Sequence, residues 1–589
     1  MEKGIINNFL YILKKTWKYE KRTIFSIIIQ IILGVVVPIA DVILPALVIG
    51  SIEYGLNSSM VAIIFCILLF ILGINILSTY LNNMYGLYIL NNKIGFLSEL
   101  FRKKMKMDYS YIESPEGQTA YENAFISILN DYTGVSGMLM IVGPLFSSFI
   151  GICINIGIMC KLSIYVVIML LFTSLVHIYI AYLVRIKQGK MKEEIADNSR
   201  RMSYLFSFIS NPRGAREIRI FNMYEWMKKT IEREIRDRIY LAKKSNGYMF
   251  YLSVADCLIL AFRDAVAYII VISAILHGEI NIWELIMYLG TTTCTSAFFS
   301  DLTSNIALME LRSVEINVIR NFLDKEIGSR RDKFFLANDI NLEIEFKDVS
   351  FKFQENGEYI LRHVNLKIDT NSKIAIVGEN GAGKSTLIKL ICGLYVPTEG
   401  KILVNGIDLK KIDIQSYQKL IAVAFQDIYL IPATLGENIA FGEAKFSVDE
   451  INECINYAGL VEEKWNLDSM VTNMLDESGL VPSGGQKQKI ILSRVVFKFL
   501  FRGAKLLILD EPTSAIDPIS EKKFYNRYLD LVRKGGCILV SHRMKSTNIC
   551  DLIIVMENGN IVESGSHSEL MKANGLYRKM YDLQSSYYQ

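Results

Sequence analysis

The eight residues Gly378-Glu379-Asn380-Gly381-Ala382-Gly383-Lys384-Ser385 satisfy every fixed position of the pattern G-x-x-x-x-G-K-[ST]. The glycines let backbone N–H groups turn toward phosphate oxygens, and a helix opening at Lys384-Ser385-Thr386 would present its positive dipole end to them. In that setting Lys384 reaches the β- and γ-phosphates and the Ser385 hydroxyl binds Mg²⁺. A second group lies about 125 residues further on, where Leu506-Leu507-Ile508-Leu509 ends in Asp510-Glu511. A strand end beside the phosphate loop would let Asp510 hold the hydration shell of Mg²⁺, and Glu511 could polarise an attacking water. Any apolar strand can end in acidic turn residues, but the phosphate loop upstream gives this pair a partner. A third group, Ser483-Gly484-Gly485-Gln486, opens an amphipathic run about 25 residues before the acidic pair. Alone, it reads as a loop and a helix N-cap.

These residues need elements to hold them. Short β-rich runs at Leu342 to Phe346, Ile374 to Val377, Leu506 to Leu509 and Ile538 to Val540 alternate with helical runs. Such alternation predicts an α/β domain around a largely parallel sheet. The first half of the chain is different. Six apolar stretches, roughly 24–49, 60–88, 136–160, 163–185, 248–276 and 283–308, are long enough to span a membrane. A hydrocarbon core of about 30 Å takes about 20 helical residues. Lys and Arg concentrate before the first stretch, after the second and after the fourth, so both termini are expected on the cytoplasmic side. The two basic connections run to about 45 and 60 residues and keep helical periodicity. Each breaks once, at Ser114-Pro115-Glu116-Gly117 and at Asn211-Pro212-Arg213-Gly214. These breaks predict the tips of helical hairpins, whose legs of about 20–30 residues would carry them about 30–45 Å from the bilayer. The domains predicted are a membrane domain over 1–323, a charged linker over 324–340 and a nucleotide-binding domain over 341–589.

Composition supports this division. The chain of 589 residues is 51% hydrophobic, and its formal net charge of +4 gives no electrostatic case for a nucleic-acid partner. The nine cysteines contain no C-x-x-C pair and predict neither a metal site nor a disulfide framework. No cleavage-site pattern follows the first apolar run, so it reads as a retained span.

Taken in order, the phosphate loop, the Ser483-Gly484-Gly485-Gln486 turn, Asp510-Glu511, Ser514-Ala515-Ile516-Asp517 and Ser541-His542-Arg543 resemble the ATP-binding cassette (ABC) transporters. The resemblance covers essentially the whole chain and is to exporter-type half-transporters, with six spans ahead of one cassette. It implies an α-helical membrane domain of six transmembrane helices with long cytoplasmic extensions, plus a P-loop NTPase domain of ABC type. It also implies a set of residue roles. Phe353 stands where an aromatic residue, usually Tyr, stacks on adenine. Gln426 resembles the glutamine that reaches Mg²⁺ and the attacking water, Glu511 the catalytic base, and His542 the residue that holds the γ-phosphate and Glu511 in register. Asp517 would communicate across a dimer, and Glu477 resembles an acidic loop that senses the cytoplasmic hairpins. Ser483, Gly484, Gly485 and Gln486 would close over the ATP of another subunit. Pro482 departs from the family's usual Leu; proline suits a helix start, where its missing N–H would be unpaired anyway.

The resemblance further implies ATP and Mg²⁺ as cofactors, a bilayer location in a cell membrane, bacterial to judge from composition, and a dimer. A homodimer is expected, with a heterodimer as the other arrangement. The activity implied is ATP-driven export by alternating access, of a peptide or an amphipathic small molecule. A lipid flippase and an ATP-gated regulator or channel are the alternatives. With no domain ahead of Lys14, a built-in leader peptidase is not expected. Inside the spans, Asp41, Asp256, Arg263, Asp264 and Asp301 are costly at membrane depth. They either line a polar cavity formed by spans 5 and 6 or pair between helices, for instance Arg263 with Asp41.

Overall fold

The computed structural model describes residues 3–586 apart from 54–57, 162–163, 190, 279, 326–333, 338–339, 354–356, 444–445, 464, 474–475, 513–530, 532–534 and 542–543. The chain divides into two compact units, Met1–Lys104 with Thr119–Lys325, and Met105–Gln118 with Glu326–Gln589.

The first unit is built from helices. They are α1 (Ile5–Tyr19), α2 (Lys21–Glu53), α3 (Ser58–Lys106), α4 (Tyr109–Glu113), α5 (Pro115–Leu129), α6 (Gly134–Met159), α7 (Ile164–Gly189), α8 (Lys192–Ser210), α9 (Pro212–Ile220), α10 (Tyr224–Leu276) and α11 (Ile282–Asp324), of which α4 and the start of α5 belong to the second unit. Every stretch predicted to span falls, to within a residue at its ends, inside one of α2, α3, α6, α7, α10 and α11. Four segments among the described residues, Lys21–Ile52, Ile64–Lys106, Pro115–Met159 and Tyr224–Leu276, are long and apolar enough to cross a bilayer. Apolar side chains in lipid give helices little reason to associate, so close packing must come from small residues. Helix α6 supplies them. A Cβ placed on Gly151 would lie 2.4 Å from the Phe298 ring of α11, and one on Gly34 of α2 would lie 2.9 Å from Ser147 of α6.

The hairpin tips follow from their prolines. A residue before proline is pushed out of the helical region, and Ser114 sits at φ −67, ψ 148 and Asn211 at φ −80, ψ 125. Pro115 and Pro212 then open new helices, where the missing N–H costs nothing. Gly117 and Gly214 are required at these reversals, since added Cβ atoms would lie 1.9 Å from the Tyr111 carbonyl oxygen and 2.1 Å from that of Phe208.

The second unit has two sheets. Strands β1 (Glu343–Phe351), β2 (Leu361–Asp369), β4 (Glu399–Val404) and β5 (Ile407–Asp408) form an antiparallel sheet in the order β2-β1-β4-β5. Strands β3 (Lys373–Gly378), β6 (Ile421–Ala424), β7 (Leu506–Asp510), β8 (Gly536–Val540), β9 (Leu552–Glu557) and β10 (Asn560–Gly565) form the other, ordered β10-β9-β3-β8-β7-β6. All its pairings are parallel except that of β10 with β9. A parallel sheet is covered on both faces, so its strands read as continuous apolar runs rather than alternating ones. Accordingly Ile374, Ile376, Leu506 and Ile508 enter one core cluster, and Ala375, Val377, Leu507 and Leu509 enter the other. The helices that bear on the site are α12 (Lys384–Ile391), α13 (Ile414–Lys419), α14 (Leu435–Ala440), α15 (Val448–Ala458) and α16 (Gly484–Phe501).

Candidate nucleotide site

Strand register brings the chemistry together. Ile376 of β3 pairs with Val540 of β8, and Val540 pairs with Asp510 of β7. Leu509 of β7 pairs with Ala424 of β6. Gly378, Asp510 and Gln426 therefore emerge at the same carboxyl-terminal edge of the sheet, where open parallel sheets bind ligands.

The loop from Gly378 to Ser385 needs its glycines for backbone reasons. Gly381 and Gly383 have φ of 83 and 98, and Gly383 is the left-handed N-cap of α12. Lys384 is buried, and its Nζ donates to the carbonyls of Gly378 (2.8 Å) and Glu379 (2.9 Å). Burial lowers the pKa of its ammonium, while Glu511 and Asp510 pull it upward. Asn380 and Ser385 are exposed, Ala382 is buried and Thr386 lies half-buried in the first turn of α12.

Asp510 is 4% exposed. Desolvation is the largest influence on its carboxyl, and with the Glu511 charge it outweighs a hydrogen bond from Ser385 and the charge of Lys384, raising its pKa to about 6. Its Oδ1 has no hydrogen-bond partner. An orphaned buried carboxylate oxygen beside a serine hydroxyl is the donor set a hard divalent cation takes, so these residues fit Mg²⁺.

Glu511 is held at φ 51, a left-handed conformation uncommon for a side chain of its size. Its backbone N–H donates to the Val540 carbonyl at 3.0 Å, and its own carbonyl accepts from Gln488 Nε2 at 3.0 Å. Its carboxylate accepts from Gln426 Nε2 at 3.1 Å. Strain of this kind persists only where surroundings over-determine it, and here it turns the carboxylate toward Gln426. Gln488 was not singled out from the sequence; it lies two residues beyond the Ser483-Gly484-Gly485-Gln486 turn.

That turn is the N-terminus of α16. Ser483 is its N-cap, accepting from the Gln486 N–H, and the Gln486 side chain accepts in return from the Ser483 N–H at 2.8 Å. Ser483 and Gly484 are exposed. Pro482 is not at the first helical position but one residue before the N-cap, where it leaves the helix amides untouched. The Gln486 Nε2 also donates to Glu463 at 2.8 Å.

Phe353 is 59% exposed and sits edge-on to Phe351 and Tyr395, with ring centroids 5.3 and 5.5 Å away. Tyr395 in turn stacks on Phe351 at 5.0 Å. Its hydroxyl donates to Glu113 of α4, which also pairs with Lys389 at 3.0 Å. Tyr395 thus joins the aromatic platform to a hairpin tip, a link that no local pattern announces. Glu477 is exposed. His542 and Asp517, with the rest of Ser514-Ala515-Ile516, lie outside the described residues.

Of the intramembrane charges, Arg263 does not pair with Asp41. Its guanidinium binds the adjacent Asp264 at 2.8 Å and the Ser296 hydroxyl of α11. A cavity of about 580 Å³ is lined from α2, α3, α6 and α11, and Asp301 of span 6 lies in its wall.

The fold and edge geometry are those of a P-loop NTPase cassette attached to apolar helices. Residues 361–514 match the ABC transporter family model. The chain is 32% identical over 401 residues to the subtilin transport ATP-binding protein SpaT of Bacillus subtilis, covering 65% of this chain and 63% of that one. It is 32% identical over 309 residues to a putative export ATP-binding/permease protein of Rickettsia typhi, covering 52% and 53%. It is 34% identical over 243 residues to the ATP-dependent lipid A-core flippase of Salmonella paratyphi A, covering 41% of each. The matched parts thus span between about two-fifths and three-fifths of these relatives. The structure of a bacterial Atm1-family ABC exporter with ATP bound superposes with a TM-score of 0.82 at 19% identity, covering 96% of this chain and 99% of that one. Family model, relatives and fold together show a multi-pass membrane protein that carries an ABC transporter cassette and has the fold of an ABC exporter.

Proposed function

We propose that the chain is one half of an ATP-driven exporter that dimerises to form one translocation path and two ATP sites, with both termini in the cytoplasm. The observation that carries this reading is the meeting of Gln426, Glu511, Asp510, Ser385 and Lys384 at one sheet edge, in a chain with four segments, among the described residues, long and apolar enough to cross a bilayer.

In this reading the N–H groups of Gly378, Glu379, Asn380, Gly381, Ala382, Gly383 and Thr386 face the phosphates of ATP. Lys384 exchanges its bonds to the Gly378 and Glu379 carbonyls for phosphate oxygens, and the Phe353 ring stacks on adenine. Ser385, Asp510 and Gln426 would hold Mg²⁺, which would supply positive charge against the ATP phosphates. Glu511, aimed by Gln426 and Gln488, accepts the proton of the attacking water. His542 holds the γ-phosphate, and Asp517 with Ser483, Gly484, Gly485 and Gln486 acts across the dimer. The exposed, capped N-terminus of α16 supports that last role, because its free amides favour an anion.

Two like chains forming a homodimer are the simplest assembly, since Glu511 and the Ser483 turn are both intact. A peptide or amphipathic molecule is favoured over a lipid as cargo. The alignment with the subtilin transport protein runs for 401 residues, well beyond any cassette, whereas that with the flippase runs for 243. Glu511→Gln tests the reading. ATP is expected to bind and trap a closed dimer with hydrolysis nearly abolished, and normal turnover in this variant would remove Glu511 as the base.

A further inference from the structure

The cavity between α2, α3, α6 and α11 has a chemistry of its own. Its volume of about 580 Å³ falls in the range of small-molecule sites. One part of its wall is apolar, from Leu33, Val37, Met140 and Phe298. The other part is polar, from Gln30, Asn75, Ser78, Asn82 and Asp301. Gln30 Nε2 donates to Asn82 Oδ1 at 2.8 Å, which fixes the two carboxamides and leaves the Gln30 oxygen and the Asn82 amino group for a ligand. Asp301 makes no hydrogen bond or ion pair among the described residues. No Lys, Arg or His lines the cavity. Arg263, the guanidinium nearest in kind, is already held by Asp264 and Ser296.

Asp301 is exposed at the cavity wall, and among the described residues of one chain no cation meets it, which leaves its carboxylate open to a cationic ligand. Asp41 extends the same charge. It lies four residues beyond Val37 and seven beyond Gly34, hence on the α2 face that lines the cavity. It is exposed and makes no ion pair or hydrogen bond among the described residues. The space therefore offers apolar walls, two fixed carboxamides and negative charge, with no cationic side chain among its lining residues.

We propose that this cavity binds amphipathic cations, with the Asp301 carboxylate receiving an ammonium group and Leu33, Val37, Met140 and Phe298 enclosing the apolar body. The inference rests on the export reading and deepens it by naming the charge of the cargo. A lipophilic amine, or a peptide segment presenting a lysine or a free N-terminus, satisfies it; an anionic amphiphile meets repulsion.

The test uses the full chain in nanodiscs of zwitterionic lipid, with three size-matched fluorescent probes: a dansyl alkylamine, its N-acetylated neutral form and the corresponding alkyl carboxylate. The amine is expected to bind most tightly at pH 7.5. Asp301→Asn is expected to weaken the amine about tenfold or more, the loss of one ion pair in a partly screened cavity. Asp301→Glu should restore most of that affinity, and the neutral and acidic probes should not respond to either change. Equal binding of the three probes, or an amine affinity indifferent to Asp301→Asn in protein that still binds ATP, would overturn the proposal. If the Asn variant does not assemble, the ranking of probes on the unmodified chain decides. ATP hydrolysis in the same sample separates the two readings. Hydrolysis with charge-blind binding removes only this inference, whereas absence of hydrolysis removes the export reading itself.

Discussion

Replacing Asp510 by Asn should make the nucleotide-free protein more stable, and increasingly so as pH rises. Burial and the Glu511 charge raise the Asp510 carboxyl from its ordinary 3.8 to about 6 in the fold. A group whose pKa is raised by folding favours the folded state while protonated, and that contribution is lost as pH climbs through the folded value. At 1.36 kcal/mol per unit, ionised Asp510 costs the fold roughly 3 kcal/mol at neutral pH. Asn does not titrate, so its advantage over Asp should grow by about 1.5 kcal/mol between pH 5 and pH 7.5. At about 2–4 °C per kcal/mol for a domain of this size, that is about 3–6 °C in Tm. The assay is thermal unfolding of the full chain in nanodiscs, with nucleotide and Mg²⁺ removed. It can be followed through Trp465 after Trp17, Trp226 and Trp283, the other three of the four tryptophans, are replaced by Phe. A difference in Tm that stays flat from pH 5 to pH 7.5, or that favours Asp at the higher pH, would refute the argument that this carboxylate is desolvated and uncompensated. Its stabilisation by Mg²⁺ should correspondingly fade below pH 6.

Other outcomes follow from the same geometry. Lys384→Ala removes a buried ammonium whose charge-assisted bonds are worth about 1.5–3 kcal/mol each, so ATP affinity by equilibrium binding should fall about tenfold to hundredfold. Gly383→Ala forces a side chain into φ 98 with its Cβ 2.7 Å from Leu361 Cδ2. It should lower Tm and weaken ATP binding, and a neutral result would mean that the loop relaxes freely. Glu113→Ala breaks the contacts to Lys389 and Tyr395. It should leave unstimulated ATP hydrolysis nearly intact while reducing cargo stimulation, measured as turnover with and without a saturating amphiphile.

Much of this was legible because local rules and the global fold agree. Parallel strands buried on both faces are continuous apolar runs, so Ile374 to Val377 and Leu506 to Leu509 declared themselves. Pro115 and Pro212 marked the hairpin tips because proline constrains the residue before it whatever surrounds it. What was not legible depends on contacts between distant segments. Gln488 reaches the Glu511 carbonyl only because α16 packs beside β7, and Tyr395 meets Glu113 across 282 positions of sequence. Arg263 took its neighbour Asp264 rather than Asp41 because packing put Ser296 within its reach. The cavity formed among α2, α3, α6 and α11 because glycines and serines of α6 allow those helices to approach, a property that charge alone could not reveal.

The central claim is that ATP hydrolysis at the Gln426–Glu511 site drives vectorial movement through the helical unit. It is tested most directly in sealed proteoliposomes, by accumulation of a fluorescent amphiphile when ATP and Mg²⁺ are supplied on the cassette side. Uptake against a gradient is expected with ATP, none with a non-hydrolysable analogue and none in Glu511→Gln. Equal flux under all three conditions, running only down the gradient, would show an ATP-gated pore instead and contradict it.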